Sequence, residues 1–363
     1  MARFCEMVRR GLVDGGDEVT VLRPQPVFAR IPAPAPVRKW LGYLDKYLLF
    51  PLALLRKVES WEVVHICDHA NSVYCRFLRG RPHIVTCHDL LAVRSALGEI
   101  PENPTGWSGR ILQRAILRGL QRAQLVACVS ESTRHDLLRL AKRDPERTSC
   151  ISNGLNYPYH PIDRVEASQR IGRLLAAQTD AGFRPFFLHV GGNQWYKNRL
   201  GALRIFACLR MRPEFSGHML VMAGKPLTAE MRALIASHGL GEAVAEMMSV
   251  SNEDLNALYS LAEGLIFPSL AEGFGWPIVE AQACGCPVFT SDRSPMNEIG
   301  GNAAAYFEPG DPSGAAAVIS EALAERPRMV QAGSENARRF DAESMVKGYR
   351  EAYEHCRRMQ AVV

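Results

Sequence analysis

Residues 264–287, GLIFPSLAEGFGWPIVEAQACGCP, constrain this chain more than any other stretch. The apolar run Gly264–Phe267 reads as a buried strand. A glycine-flanked turn follows, and Pro277 sits where a first helical residue belongs. The helix ends at Gly285, and Pro287 bars its continuation. A strand, a glycine loop and a helix N-terminus leave backbone N–H groups and a positive dipole end turned toward one place, which suits a phosphate. Glu272 and Glu280 bracket the turn. Carboxylates repel phosphate, so their partners are read as hydroxyls. The combination points to a ligand that carries both phosphate and sugar.

The chain is 363 residues long, more than one core usually supports, so two domains are expected. Its pattern alternates strands with helices. Strands are predicted at 18–22, 63–66, 83–86, 124–129, 186–190, 218–222, 264–267 and 287–290. Helices are predicted at 2–13, 111–123, 131–142, 198–210, 311–324 and 342–359. Such alternation predicts an α/β fold of parallel, doubly wound sheets, with ligands beyond the C-terminal strand ends. His88, residues 191–197, residues 224–225 and residues 272–280 all fall at such ends. The two domains are expected to join within 155–184.

The ten cysteines are scattered without Cys-x-x-Cys spacing, which reads as reduced thiols rather than disulfides or a zinc site. No metal-ligand cluster and no Asp-x-Asp stands out. The charge is uneven: residues 1–160 hold 23 Lys+Arg against 15 Asp+Glu, and the remainder 20 against 23. A basic first half fits an anionic membrane surface, a phosphorylated acceptor, or simply a solvated surface. No motif supports nucleic acid. There is no signal-peptide pattern at the start and no uninterrupted apolar stretch of ~20 residues. The segment 40–58, WLGYLDKYLLFPLALLRKV, is open to two readings: a membrane-surface helix, or a buried helix pair hinged at Pro51, the latter being favoured.

In this setting the sequence resembles retaining glycosyltransferases of family 4, which have the GT-B fold. Glu272 and Glu280 match the family's paired glutamates within FPSLAEGFGWPIVEAQACGCPV. HVGGNQWYKN (189–198) and NEIGGNAAAYFEPGD (297–311) continue the likeness, as do TCHDL (86–90), VSESTRHDLL (129–138) and ISNGLN (151–156). The resemblance implies two facing Rossmann-like domains with the active site in the cleft between them. The expected organisation is an acceptor-side domain at 1–165 and a donor-binding domain at 166–344. The C-terminal helix, 345–363, is expected to pack back on the first domain.

The resemblance further implies metal-independent transfer of a hexose, with retention, from a nucleotide sugar such as a UDP- or GDP-hexose. The acceptor would be a glycan or a lipid-linked sugar in polysaccharide or glycolipid synthesis. No cofactor is implied. The enzyme would be cytoplasmic, or peripheral at the inner face of the membrane. By the same likeness Glu280 holds the ribose hydroxyls and Glu272 the donor sugar near the reacting centre. Gly273, Phe274 and Gly275 offer backbone N–H groups, and Lys197 neutralises the diphosphate. Gly192 and Asn193 line the donor, and His88 contacts the donor sugar from the first domain. Many members carry an arginine five residues before the lysine; here that position is Gly192, so Arg199 is expected to substitute.

The family opens with a strand and a glycine-rich loop before its first helix, whereas residues 1–22 read as helix one and strand two. The first strand is therefore expected to be missing. A chain extended by roughly 15–25 residues is expected to melt higher; equal melting temperatures would contradict this. A non-catalytic or truncated nucleotide-sugar-binding subunit is the alternative.

Overall fold

The computed structural model describes residues 2–78, 80–176 and 184–361. The chain divides into two compact units. The first comprises residues 1–152 together with the chain from Ala342 onward, and the second comprises Asn153–Asp341. Of the stretch expected to join the domains, residues 177–183 lie outside the described residues, as do 362 and 363 of the segment expected to pack back on the first domain.

The first unit holds a four-stranded parallel sheet of β1 (Val64–Ile66), β2 (His83–Cys87), β3 (Leu125–Cys128) and β4 (Thr148–Cys150), in that order. The sheet is buried on both faces, as a parallel sheet requires: Val85, Cys87, Val126 and Cys128 pack with Leu78, Ile116, Leu120 and Leu137 on one side, and Ile84, Leu125 and Ala127 are buried on the other. Strand β4 is not evident in the sequence. Its three residues carry little apolar signal, because an edge strand needs none on its open side.

Two expectations fail in this unit. Residues 18–22 do not form a strand and are mostly exposed. Among the described residues β1 pairs only with β2, so EVTVL has no ladder partner, and β-propensity without one does not make a strand. The segment 40–58 is also not a buried helix pair hinged at Pro51. Helix Ala35–Leu44 passes through a π-turn, Asp45–Leu49, into helix Phe50–Lys57 without a break. Pro51 has no N–H to give and its ring crowds the carbonyl one turn back. The wider π-turn before it, closed by Phe50 N–H donating to Asp45 O, accommodates that defect. Much of the run's outer face is exposed.

Helix Ala342–Ala361 belongs to the first unit. The hydroxyls of Tyr349 and Thr86 lie 2.9 Å apart, and that of Tyr353 meets His65 Nδ1 at 2.8 Å. Gln124 Nε2 donates to the carbonyl of Cys356, and Arg350 pairs with Asp17 at 2.7 Å.

The second unit is a six-stranded parallel sheet in the order β10-β9-β8-β5-β6-β7. The strands are β5 (Phe186–Gly191), β6 (Met219–Gly224), β7 (Val244–Met248), β8 (Gly264–Phe267), β9 (Val288–Ser291) and β10 (Ala304–Phe307). Phe187, Leu220, Ile266 and Phe289 are fully buried between the sheet and its helices. Each contributes about 1.5–3 kcal/mol over exposure. The chain winds outward from β5 through β6 to β7, then returns to lay β8 on the other side of β5. The winding therefore reverses between β5 and β8, and a doubly wound sheet opens a ligand crevice at such a reversal.

Among the described residues no helix is long and apolar enough to cross a membrane.

Candidate active site

The two strands that flank the reversal deliver the chemistry. After β5 the chain turns through Gly192 and Asn193 into a short 3-10 turn, Trp195–Lys197. Asn198 follows in the left-handed region at φ 48° and caps helix Arg199–Arg210, its Oδ1 accepting from Gly201 N–H at 3.1 Å. Its Nδ2 donates to the carbonyl of Pro268, just after β8. This one asparagine therefore fixes the helix start and ties the β5 loop to the β8 loop.

Across that tie Lys197 Nζ lies 2.7 Å from Glu272 Oε1, with side chains only 16% and 8% exposed. Ser269 donates its hydroxyl to the same oxygen at 2.9 Å. The ammonium also stands 5.3 Å from the Phe267 ring centroid, so it sits in a site of reduced dielectric where its charge is worth more than in water. Lys197 and Glu272, far apart in sequence, meet in one place.

The glycine turn then runs to helix Trp276–Ala283. Gly275 is its N-cap at φ 100°, ψ 49°, a conformation open to glycine and costly for a side-chain-bearing residue. With no side-chain cap, the first N–H groups of the helix have no hydroxyl or carboxylate of the cap residue to accept from them. Phe274 is buried against Trp276 and Phe340, so it anchors the turn while its neighbours approach the crevice. Trp276 Nε1 donates to the carbonyl of Gly154.

Glu280 is buried on the same helix. Tyr259 Oη donates to its Oε2 at 3.0 Å, and Asn156 Nδ2 to its Oε1 at 3.4 Å. Tyr259 is marked by no motif. Asn156 lies in ISNGLN (151–156), to which no role is assigned from the sequence, and it sits 124 residues from Glu280, joined to it only by the fold.

Arg199 does not stand as a second cation beside Lys197. It is 2% exposed, and its Nη1 donates to the carbonyl of Lys225 at 2.7 Å and to Asn193 Oδ1. Burial lowers its pKa. Its work is to hold the Asn193 loop against residues 225–226. Asn193 Nδ2 in turn donates to the carbonyl of Pro226. Asn193, Gln194, Lys225, Pro226, Leu227 and Thr228 line an open groove of about 530 Å³ beside this loop.

His189 on β5 is core, with Nδ1 against the carbonyl of Ile266 at 2.9 Å. His88 lies just past β2 in the first unit and is buried. Its Nε2 faces the carbonyl of Cys67 at 2.9 Å, which makes that nitrogen the protonated one. Burial pushes its pKa down to about 4, so the imidazole is neutral at neutral pH; its one N–H is given to the Cys67 carbonyl, and Nδ1 is an acceptor without charge. Among the described residues no group of three His, Cys, Asp or Glu is placed to hold a metal ion.

Comparison with known proteins agrees with these features. The family described as Glycosyl transferases group 1 matches residues 176–340, and Glycosyltransferase Family 4 matches residues 1–157. O-antigen chain mannosyltransferase B of Escherichia coli is 24% identical over 75% of this chain and 73% of its own length. D-inositol 3-phosphate glycosyltransferase of Corynebacterium efficiens is 26% identical, over 71% of this chain and 62% of its own. Among solved structures, HepE of Anabaena in complex with UDP and glucose superposes with a TM-score of 0.70 at 19% identity, covering 95% of this chain and 88% of that one. Sucrose-phosphate synthase of Thermosynechococcus elongatus gives 0.73 at 20%, covering 97% and 92%. The two family matches together span nearly the whole sequence, and the likeness to solved structures is one of fold: the chain belongs to the group 1, family 4 glycosyltransferases, with the GT-B fold.

Proposed function

We propose that this enzyme transfers a hexose, with retention, from a nucleotide-sugar donor to a glycan or lipid-linked acceptor in the cytoplasm. The observation that carries this reading is the ion pair of Lys197 and Glu272 at 2.7 Å, set where the winding of the second sheet reverses. The pair supplies what such a reaction needs at one spot. Departure of a nucleoside diphosphate develops negative charge on phosphate oxygens, and a fixed, poorly hydrated ammonium stabilises it. Lys197 fills that role. Its carboxylate partner Glu272 accepts hydrogen bonds from the donor sugar's hydroxyls.

Gly273, Phe274 and Gly275 present backbone N–H groups at the start of the helix, where its dipole favours an anion. Glu280, held by Tyr259 and Asn156, takes the ribose hydroxyls at the other end of the donor. Gly192 and Asn193 line the donor's path. Arg199 acts through Asn193 as a positioning residue. His88 serves the donor sugar as a neutral imidazole. The relatives support a sugar acceptor of the glycan or glycolipid kind, being named as O-antigen chain and inositol phosphate glycosyltransferases. HepE was solved with UDP-glucose, which supports a nucleotide-sugar donor.

The test is transfer from a panel of UDP- and GDP-hexoses, with Glu272→Ala and Lys197→Ala measured beside the unaltered enzyme. Both variants lose turnover while retaining their circular dichroism. Full turnover in either removes that residue from the mechanism. Donor binding with no transfer to any acceptor favours a non-catalytic nucleotide-sugar-binding subunit.

A further inference from the structure

We propose that Cys5 and Cys67 form a redox-active dithiol, closed to a disulfide by a hydroperoxide and reopened by a thiol reductant. Cys5 lies in the first turn of helix Ala2–Asp14, and Cys67 directly follows β1. The fold brings these distant residues into one corner of the first unit. The Phe4 ring stands edge-on to the rings of His88 at 4.8 Å and His65 at 6.3 Å, and His88 Nε2 donates to the carbonyl of Cys67. There the Cys5 and Cys67 thiols share a hydrogen bond, and the exposed Arg23 guanidinium donates another to Cys5.

Proximity alone does not make a thiol pair reactive. Cys87 and Cys128 are also neighbours, in register across β2 and β3, but both are fully buried. Burial raises the Cys87 thiol, and a thiol buried in apolar surroundings is inert. Cys5 and Cys67 are only partly buried. The hydrogen bond from Cys67, helped by the charge of Arg23, outweighs desolvation and pushes Cys5 down to about 6. Cys5 is therefore largely thiolate at neutral pH, the form that attacks. Cys67 is shifted up, chiefly because its proton is held against Cys5. One sulfur is the nucleophile and the other keeps a proton to give, as an attacking and a resolving cysteine require.

The chemistry balances with the hydroperoxide as oxidant. The Cys5 thiolate attacks the peroxide; an S–O bond forms, the O–O bond breaks, and the departing oxygen takes up a proton as water or alcohol. Cys5 is then a sulfenic acid. The Cys67 sulfur attacks it, the S–O bond breaks, and the proton of Cys67 leaves with the hydroxyl as water. Both sulfurs end oxidised, and the peroxide is reduced. An S–S bond is shorter than a hydrogen-bonded contact between thiols, so closure draws Cys5 and Cys67 together and displaces the carbonyl that holds His88. On the donor-site reading, on which this consequence rests, closure slows transfer.

The experiment treats the full chain with hydrogen peroxide, blocks free thiols with N-ethylmaleimide and maps its peptides by mass spectrometry without reduction. A Cys5–Cys67 cross-link that dithiothreitol reverses is the expected result, with Cys87 and Cys128 unmodified. Cys67→Ser leaves Cys5 at the sulfenic acid, which dimedone labels; Cys5→Ser abolishes both products. The mapping on the unaltered chain decides the matter even where a variant folds poorly. Absence of the cross-link overturns the proposal, as does oxidation of Cys5 that leaves Cys67 free, or a cross-link that forms only after denaturation. Measured beside it, transfer by the oxidised chain falls by about tenfold or more and recovers with dithiothreitol, while transfer by Cys5→Ser does not respond to peroxide. A closed disulfide with undiminished transfer overturns the link to His88. An enzyme without transfer in either state counts against the donor-site reading alone, and the cross-link still decides the dithiol.

Discussion

The two units keep their chemistry in different places. In the second, the polar groups that matter stand at strand ends, partly or wholly buried, and hold one another: Lys197 on Glu272, Tyr259 on Glu280, Asn198 across two loops. In the first, the comparable strand end holds His88, a neutral imidazole bound to a carbonyl. The first unit's most unusual feature is an exposed apolar stripe on its surface. Fixed charge is needed where charge develops in a transition state, and it must be pre-arranged. A surface that meets a bulky or lipid-borne partner needs area and the right sign of charge instead. On the proposed reading the second unit serves the first task; the exposed apolar side chains of the first unit suit the second.

Substitutions sharpen or break that contrast. The largest effect belongs to the ion pair. Glu272→Ala or Lys197→Ala lowers kcat by about 100- to 1000-fold in a transfer assay. Because each removal leaves the other, mostly buried charge without its ion-pair partner, stability also falls, by up to about 3–5 kcal/mol; a denaturant melt separates this loss from the catalytic one. Next comes Glu280→Gln, which keeps the shape but weakens charge-assisted hydrogen bonds. It raises KM for the donor about tenfold and leaves kcat largely intact. A fall in kcat with KM unchanged would move Glu280 from the ribose end to the reacting centre.

Gly275→Ala places a side chain at φ 100° and costs about 1–3 kcal/mol. A smaller melting shift would show that the turn relaxes, and then the N–H groups at the helix start are not pre-arranged.

A further effect is one of pH and divides between the units. Burial pushes His88 down to about 4 and His189 and His65 to about 3, against 6.5 for an unburied histidine. As pH falls below 6.5 the unfolded chain takes up protons that the folded chain refuses, so stability is full above that value and is lost toward pH 4 and below. Melting temperatures measured from pH 8 to pH 4 should be level at first and then fall. His88→Asn removes that histidine's share and leaves those of His65 and His189. A melting temperature constant down to pH 4 contradicts the burial of all three.

Much of the second unit was legible in the sequence, and the reason is local. A strand, a glycine turn and a helix start are written in consecutive residues, so Gly264–Phe267, Gly275 and Pro277 declare themselves. Lys197 stands in a similar turn after β5. Less was legible where a residue's meaning depends on what the fold brings to it. Tyr259 carries no signature and Asn156, though part of ISNGLN, none that names its partner, because their bonds to Glu280 cross 21 and 124 residues. Arg199 looked like a cation for the ligand, yet helix geometry turns it onto carbonyls. Strands β7 and β10 escaped notice because edge strands of alternating or alanine-rich composition lack the continuous apolar run of central ones. Residues 18–22 had the propensity and no partner. The segment 40–58 is apolar nearly all round, so its sequence does not say which face is covered.

The central claim is that Lys197 and the turn at Glu272 hold the diphosphate end of a sugar nucleotide. Thermal melts of the unaltered protein and of Lys197→Ala, each with a panel of UDP- and GDP-hexoses, test it most directly. A ligand at 100 times its Kd stabilises the folded state by about 2.7 kcal/mol. The expected result is a rise in melting temperature with at least one donor that disappears in Lys197→Ala. The contradictory result is no rise with any donor, or an equal rise in both proteins.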